Sequence, residues 1–347
     1  MSVPAAPGHR VWLLLGAGLG LIACAKRDSP GDRRPLGDAS ARVAARSAVR
    51  RSPPRSAARG IVARPRIAAR PPAPKAPDGV VMQPCGAAPK RMSCVPGGPF
   101  VRGFDKGPKN ARPVATVWVQ TFYMDRYEVT HGAYQACVKA GKCKKAGPNY
   151  GDYDRPRQPI VGVSWYDAVS YCRVHGKHLP TEAQWEKAAR GPNGDRYPWG
   201  NAYATCKRAV VRNHRGRSCG VKKMGRVPET GRTFVVGSRK PGRYGLYDMA
   251  GNSWEWVADW YVKSYAACGQ ACLGTDPRGP CGGAAKCPGH RYKIVRGGSW
   301  YWKGHMATGY YRRFHVPSNR PFHHFGFRCA ASPVEAQKLT AAGAAEK

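Results

Sequence analysis

The sequence has little negative charge and no long apolar run. Of its 347 residues only 20 are Asp or Glu, against 58 Lys or Arg, so the formal net charge is +38. No apolar segment reaches the roughly 18–20 residues of a membrane-spanning helix, which excludes a polytopic membrane protein. What is present is typical of a folded chain, with 42% hydrophobic residues, 10 Trp and 17 Tyr. The 42 Gly and 31 Pro favour a loop-rich fold over a helical bundle.

The amino-terminal segment is typical of an exported protein. An apolar run, Val11 to Ile22, has the length of a secretory signal core and is too short to span a bilayer. The run leads into Ala23-Cys24, and the four residues from Leu21 resemble a bacterial lipobox, although an ordinary signal peptide is the alternative. We therefore predict a lipoprotein signal peptide over 1–23, with Cys24 acylated and anchored in membrane lipid at the cell envelope. The following Ala25 predicts outer-membrane sorting if the host is Gram-negative.

Aromatic residues are missing from the next segment. Ala25 to Val80 contains no Phe, Trp or Tyr, and it carries 14 basic and 4 acidic residues. Such a chain cannot offset its ordering entropy, so we predict a disordered Ala/Pro/Arg-rich tether over 24–83. Its charge favours an anionic polysaccharide, a lipid headgroup or an acidic peptide as partner, or it is a solvated spacer without a partner. Nucleic acid is not expected for an exported chain.

Twelve cysteines remain after Cys24. An even number in an exported chain predicts a disulfide framework, although the sequence alone does not give the pairing. One pair brackets a predicted helix end, at Cys137 and Cys143, and could close a short loop. Four further cysteines fall within 20 residues and permit either a zinc site or two disulfides, of which the compartment favours the disulfides: Cys268, Cys272, Cys281 and Cys287.

Residues 84–332 have the composition of a folded domain, and we predict that 333–347 form a flexible tail. Capping residues open three predicted helices, and the segment Val114 to Met124 is rich in β-formers. After Gly191 short strands separated by turn residues predominate, which predicts an α+β fold. The predicted helices run from Thr130 to Lys139, from Trp165 to His175 behind Ser164, and onward from Thr181, with Gln184 completing a capping box.

Five ordered motifs carry a family resemblance. The sequence MDRYEVT begins at Met124, HLPTEAQWEKA at His178, and GLYDMAGNSWEWVADW at Gly245; RGGS begins at Arg296 and GFRCA at Gly326. Their order and spacing resemble the sulfatase-modifying-factor family, which includes the formylglycine-generating enzyme. The resemblance implies a duplicated C-type-lectin-like α+β fold with little regular secondary structure.

The resemblance also identifies a departure in the catalytic motif. Formylglycine-generating enzymes bind Cu(I) with two cysteine thiolates shortly after RGGS, because this soft ion prefers sulfur. Those two positions are Trp302 and Ala307 in this chain. Neither side chain supplies a thiolate, so we expect no copper and assign no catalytic residue. We place a candidate pocket beside this position, formed by Ser299, Trp302, His305 and Arg312.

A calcium site and one disulfide are also implied by the resemblance. The calcium ligands carry over to Asp248, Gly251, Ser253 and Glu255, as carboxylates and backbone carbonyls of the kind that calcium prefers. A tight turn without metal is the alternative. The family's conserved disulfide carries over to Cys172 and Cys329.

Three functions remain open at this point. The first is a binding or scaffold lipoprotein that keeps the fold and has lost the oxidase site. The second is an oxidative enzyme of the family with different chemistry, and the third is true formylglycine generation through thiols brought together by folding. Five aromatic residues within Trp300 to Tyr311 form either a stacking platform or part of the core. Four nearby histidines are either a replacement metal site or packed and surface residues: His305, His315, His323 and His324.

Overall fold

A computed structural model describes residues 75–148, 151–222, 231–320 and 323–345. The predicted signal peptide, Cys24 and most of the predicted tether lie outside these ranges. Within them, no helix combines the length and the apolar character required to cross a bilayer.

Short strands form three small sheets. The first has the order β1-β4-β9 and the second pairs β2 with β3, both antiparallel. The third has the order β7-β6-β5-β8, in which β5 pairs with β6 antiparallel and with β8 parallel. The strands are β1 Met92–Val95, β2 Gly98–Arg102, β3 Ala115–Val119, β4 Phe122–Asp125, β5 Trp254–Trp260, β6 Lys293–Arg296, β7 Arg313–His315, β8 Phe325–Gly326 and β9 Ala330–Ala331.

Three helices begin where the capping residues Thr130, Ser164 and Thr181 predicted. Ser164 and Thr181 each accept a hydrogen bond from the third helical N–H, and Asp167 and Gln184 complete the two capping boxes. Thr130 caps the first helix in the same way without the reciprocal bond. The helices are α1 His131–Lys139, α2 Trp165–Val174, α3 Glu182–Arg190, α4 Tyr265–Cys268 and α5 Pro333–Ala345.

The predicted tail is wrong over most of its length. Residues 333–345 form helix α5, and Ala336 is buried against Met92 and Tyr123 of the first sheet. Its start has a sequence signal, because Ser332 and Glu335 exchange the two hydrogen bonds of a capping box. The folded part also begins earlier than residue 84, since Ala76 and Met82 are buried.

Six disulfides cross-link the described part of this fold. They include both local bridges of the 268–287 segment, which leaves none of those four sulfurs for a zinc ion. One bridge joins distant parts of the chain and fastens α2 to the segment between β8 and β9, with both cysteines fully buried. The pairs are Cys85–Cys94, Cys137–Cys143, Cys172–Cys329, Cys206–Cys219, Cys268–Cys272 and Cys281–Cys287.

Tryptophans of β5 hold the main core together. Trp254 and Trp256 are completely buried, and their cluster includes the α2 residues Trp165 and Cys172. A second cluster forms around Trp185 of α3. Both clusters include residues of β5 or β6, so these two strands set the position of the turn that follows β6.

Candidate functional site

The turn after β6 carries Trp302 and Ala307, the two positions that the family resemblance equates with copper-binding cysteines. Gly297 and Gly298 both have positive φ angles, of 93° and 78°. A Cβ at Gly298 would lie 2.7 Å from Cα of Ala307, so glycine permits the turn to pack directly on the segment Gly304–Ala307. Ala307 is 1% exposed, and its methyl group is part of a small core cluster.

Trp302 occupies the other position, and its ring is only half-buried. Its backbone is fixed on both sides, because its N–H donates to Ser299 at 3.1 Å and its carbonyl accepts from Arg212 at 2.9 Å. The ring packs against the core cluster that contains Trp254. The indole nitrogen Nε1 is buried and donates to no acceptor in the described part of the chain. The indole N–H of Trp254 is also buried and also donates to no acceptor among the described residues.

Sulfur offers no substitute for the missing thiolates. All twelve cysteines from Cys85 to Cys329 are in disulfides, so the described residues contain no free thiol. The pair Cys172–Cys329 is the one that the family resemblance implied. Copper(I) coordination by thiolates therefore has no donor within the described part of the chain.

The candidate pocket is not assembled as the sequence predicted. Trp302 is half-buried and His305 is exposed at the surface, but Ser299 is 1% and Arg312 2% exposed. The Arg312 guanidinium donates to Glu182 and to the carbonyls of Asn110 and Val262. Arg312 is consequently a buried structural residue and does not line a cleft with Trp302.

Arg312 belongs to a buried ion cluster that joins α3 to β6. Arg296 donates to Glu182 at 2.9 Å and to Glu186 at 2.6 Å, and Arg190 pairs with Glu186. Burial raises the pKa of Glu186, but the charges of Arg296 and Arg190 outweigh it and bring the pKa to about 2. Arg296, the residue before the glycine turn, is therefore held by two charged hydrogen bonds, one to Glu182 and one to Glu186.

A second buried cluster contains the predicted calcium ligands. Asp248 and Glu255 are 8% and 0% exposed, and Arg328 binds both oxygens of Glu255 at 2.7 Å. Glu128, which the sequence analysis did not select, lies close enough to both carboxylates that their charges raise its pKa, after burial as the larger cause. Burial likewise raises the pKa of Asp248 to about 6. Three carboxylates thus lie around the buried Arg328 guanidinium, and the half-buried Arg239 adds a second positive charge near Asp248.

The arrangement fits a bound cation. Glu128 Oε1 is buried and accepts from no donor in the described ranges. Glu255 Oε2 accepts from both Arg328 and Trp185, whereas Oε1 accepts from Arg328 alone and keeps a lone pair. No set of three acidic, His or Cys side chains within those ranges is arranged to hold a metal alone. A calcium ion here would therefore need the backbone carbonyls of Gly251 and Ser253 as well as Asp248 and Glu255.

The histidines near the turn are packed among aromatic rings. The ring centres of His323 and His324 lie 4.3 Å apart, and both rings contact the ring of Trp300. Burial, followed by the charges of His323 and of two arginines, lowers the pKa of His324 to about 2, so its imidazole is neutral. Trp300 is fully buried, so it belongs to the core, whereas Tyr301 and Trp302 are half-exposed.

Two functional candidates were missed from the sequence. Glu128 lies in the quoted motif MDRYEVT, and its burial depends on contacts with residues more than a hundred positions away. Arg313 is adjacent to Arg312 between Tyr311 and Phe314, and nothing in the pattern shows which of the two arginines pairs with a carboxylate. Its guanidinium lies 4.9 Å from the ring centre of Trp302.

Comparisons with known proteins identify the family and the fold of this chain. The sulfatase-modifying factor enzyme 1-like domain matches residues 78–333. The formylglycine-generating enzyme of Thermomonospora curvata is 35% identical, over 71% of this chain and 94% of its own length. A mouse relative named inactive C-alpha-formylglycine-generating enzyme 2 is 32% identical over 57% of each chain. The structure of PvdO from Pseudomonas aeruginosa superposes with a TM-score of 0.53 at 26% identity, covering 70% of this chain and 94% of that one. The chain belongs to the sulfatase-modifying factor family, and its α+β, disulfide-bonded fold is that family's fold.

Proposed function

We propose that this protein is a binding or scaffold lipoprotein of the cell envelope, built on a formylglycine-generating-enzyme-like domain that has lost the oxidase reaction. One observation carries the proposal: an indole and a methyl group occupy the two copper-ligand positions, and the described cysteines are all in disulfides. Cu(I) oxidation of a substrate cysteine needs thiolate ligands, which neither residue provides. The mouse relative that is named inactive supports the idea that family members lose this activity.

The proposed envelope location depends on the amino-terminal segment. The apolar run before Cys24 and the lipobox-like sequence support export and acylation, which would leave the folded domain on a basic tether. Six disulfides in the described domain are typical of an exported protein and support the same location.

Charge supports the class of partner. The formal net charge is +38, while several of the 20 acidic residues are buried in ion pairs with arginine, among them Glu182, Glu186 and Glu255. Each of these pairs is neutral, so the whole excess of positive charge is carried by the groups outside the pairs. We propose an anionic envelope polymer or headgroup as the partner of this positive charge. Calcium is proposed at Asp248 and its neighbours, where it would have a structural role.

The oxidase reaction is tested directly. The full chain is incubated with Cu(I) and a Cys-x-Pro-x-Arg peptide, with the Thermomonospora curvata enzyme as positive control, and the peptide mass is measured. We expect no aldehyde with this protein and conversion with the control. An aldehyde formed by this protein would refute the loss of the reaction. Metal analysis provides a second test, because stoichiometric iron, copper or zinc would favour a different enzymatic chemistry.

Binding is tested with a set of anionic polymers. Salt should weaken binding, because screening shortens the reach of the surface charges. We expect the apparent Kd to rise with salt for anionic polymers, with no binding to neutral polymers of the same length. Failure to bind any anionic polymer at low ionic strength would refute the binding function.

A further inference from the structure

A row of arginine and aromatic side chains lies beside Trp302, one of the two proposed former copper positions. The Arg217 guanidinium lies 3.7 Å from the ring centre of Tyr301, whose ring lies 4.8 Å from that of Trp302. Arg313 lies 4.9 Å from the Trp302 ring centre and 5.8 Å from that of Trp254. We call the residues Arg217, Tyr301, Trp302, Arg313 and Trp254 the basic–aromatic row. Except for Trp254, which is fully buried, its members are half-buried and reach the surface.

The row contains donors that lack acceptors. The indole N–H groups of Trp302 and Trp254 are both buried without an acceptor among the described residues. Leaving a buried donor unpaired is costly, so such groups are usually satisfied by water or a ligand. Both rings are neighbours of Arg313, so the unpaired donors belong to the same group of side chains as this guanidinium.

The arginines of the row also lack counter-charges. Buried arginines elsewhere bind carboxylates, as Arg296 does with Glu182 and Arg328 with Glu255. No acidic side chain pairs with Arg217 or Arg313 within the described ranges, and Arg217 donates to the Tyr301 hydroxyl. Burial lowers the pKa of Arg313, as expected for a cation that has lost water without gaining an anion. Residues 202–222 contain no Asp or Glu, so that flank of the row is basic throughout.

We propose that the basic–aromatic row binds a carboxylated polysaccharide, with a uronate carboxylate on Arg313 and the sugar ring against Trp302. The guanidinium matches a carboxylate in a two-pronged geometry. Sugar hydroxyls and ring oxygens accept from the guanidinium N–H groups that the carboxylate leaves free, while the apolar face of a sugar packs on the exposed part of an aromatic ring. This inference rests on the proposed binding function and names the ligand class and the residues for it.

The experiment measures binding of an oligouronate to the full chain by calorimetry at fixed ionic strength. A neutral oligosaccharide of equal length and an oligoglutamate of equal charge are measured beside it. We expect the oligouronate to bind, the neutral sugar not to bind, and the oligoglutamate to bind at least about tenfold more weakly, because it lacks the ring that packs on Trp302.

Variants identify the residues. Arg313→Gln should weaken oligouronate binding at least about tenfold, and Arg313→Lys should lose less, because it keeps the charge but not the fork. Trp302→Leu removes the aromatic face on which the sugar packs, so it should weaken binding about three- to tenfold. Arg173→Gln, on the exposed side of α2, removes one charge elsewhere and should stay within about twofold. Circular dichroism verifies that each variant is folded.

The outcomes separate this inference from the general function. Equal losses in Arg313→Gln and Arg173→Gln would refute the row, while the binding function would stand as a diffuse charge effect. Stronger binding of oligoglutamate would also refute the row's sugar specificity and identify an acidic peptide as ligand. Absence of binding to every anionic polymer would refute both.

Discussion

Glu182 is a single carboxylate that neutralises two buried arginines. It binds Arg296 at 2.9 Å and Arg312 at 2.7 Å, and all three side chains are buried. Glu182→Gln keeps the shape but leaves two neighbouring guanidiniums with one counter-charge fewer. We expect a loss of about 3–5 kcal/mol in the free energy of unfolding, as for other broken buried pairs. Urea denaturation measures it, with disulfides intact.

The control for this variant is Asp195→Asn, which alters the partly exposed pair with Arg243 and should cost less than about 1 kcal/mol. Equal effects of the two substitutions would contradict the importance that we assign to the buried cluster.

Glu128 tests the calcium proposal. Its carboxylate is buried beside Asp248 and Glu255 and has an oxygen without a donor, so it is unfavourable when no cation is bound. In chelator, Glu128→Gln should raise the free energy of unfolding by about 1–3 kcal/mol at neutral pH, because a carboxyl with a raised pKa costs stability at any pH above its ordinary value. Calcium should stabilise the wild-type protein more than the variant.

Thermal midpoints with calcium and with chelator measure this difference, and Asp154→Asn at an exposed site is the control. Equal calcium-dependent shifts in wild-type protein and Glu128→Gln would show that this carboxylate does not face the ion.

At the scale of elements, local signals were sufficient for the helices that begin with a capping box. Ser164 and Asp167 are three residues apart, so their reciprocal bonds follow from the sequence alone. The same signal was present at Ser332 and Glu335 but was outweighed by the alanine-rich composition, which led to the wrong prediction of a flexible tail. Docking on the first sheet supplies the stability that a short alanine-rich helix lacks by itself.

Contacts between distant residues were out of reach of the same reasoning. The predicted pocket included Arg312, but its partner Glu182 is 130 residues away in the sequence, so the ion pair that buries it has no local signal. The pairing of β5 with β8 and the location of Arg313 over Trp302 likewise depend on tertiary packing. The assignment of Trp302 and Ala307 to the copper-ligand positions rests on a family motif and not on geometry.

Helix α5 should respond to acid through Glu335. Burial raises the pKa of this carboxyl, but hydrogen bonds from His178 and from the Ser332 backbone outweigh it and bring the pKa from 4.5 to about 2. A lowered pKa stabilises the folded state above pH 4.5, and this contribution disappears as the pH falls toward 2. We expect the helix to exchange its amide hydrogens faster over that range.

Hydrogen exchange of residues 333–345, followed by mass spectrometry, measures this effect. The variant Glu335→Gln cannot titrate, so its protection should already be low at pH 5 and should change less on acidification. Protection of α5 in the wild-type protein that stays constant from pH 5 to about pH 2 would contradict the role of this carboxyl.

At the scale of the whole molecule, acidic residues and sulfur have separate structural roles. Several of the few carboxylates neutralise buried arginines. The cysteines of the described domain are all used in disulfides, so none remains for redox chemistry at the turn after β6. These two features are the basis on which we propose a binding surface in place of an oxidase site.

The long-range disulfide should contribute more stability than the local ones. Cys172–Cys329 closes a segment of 157 residues, whereas Cys268–Cys272 closes 4. Loop-closure entropy assigns about 5 kcal/mol to the first bridge and about 2 kcal/mol to the second. Replacing each pair by alanine should lower the free energy of unfolding in that order, and the buried sulfurs of Cys172 and Cys329 also leave a void. Equilibrium urea unfolding of both double variants makes the comparison, and a larger loss from the local pair would contradict it.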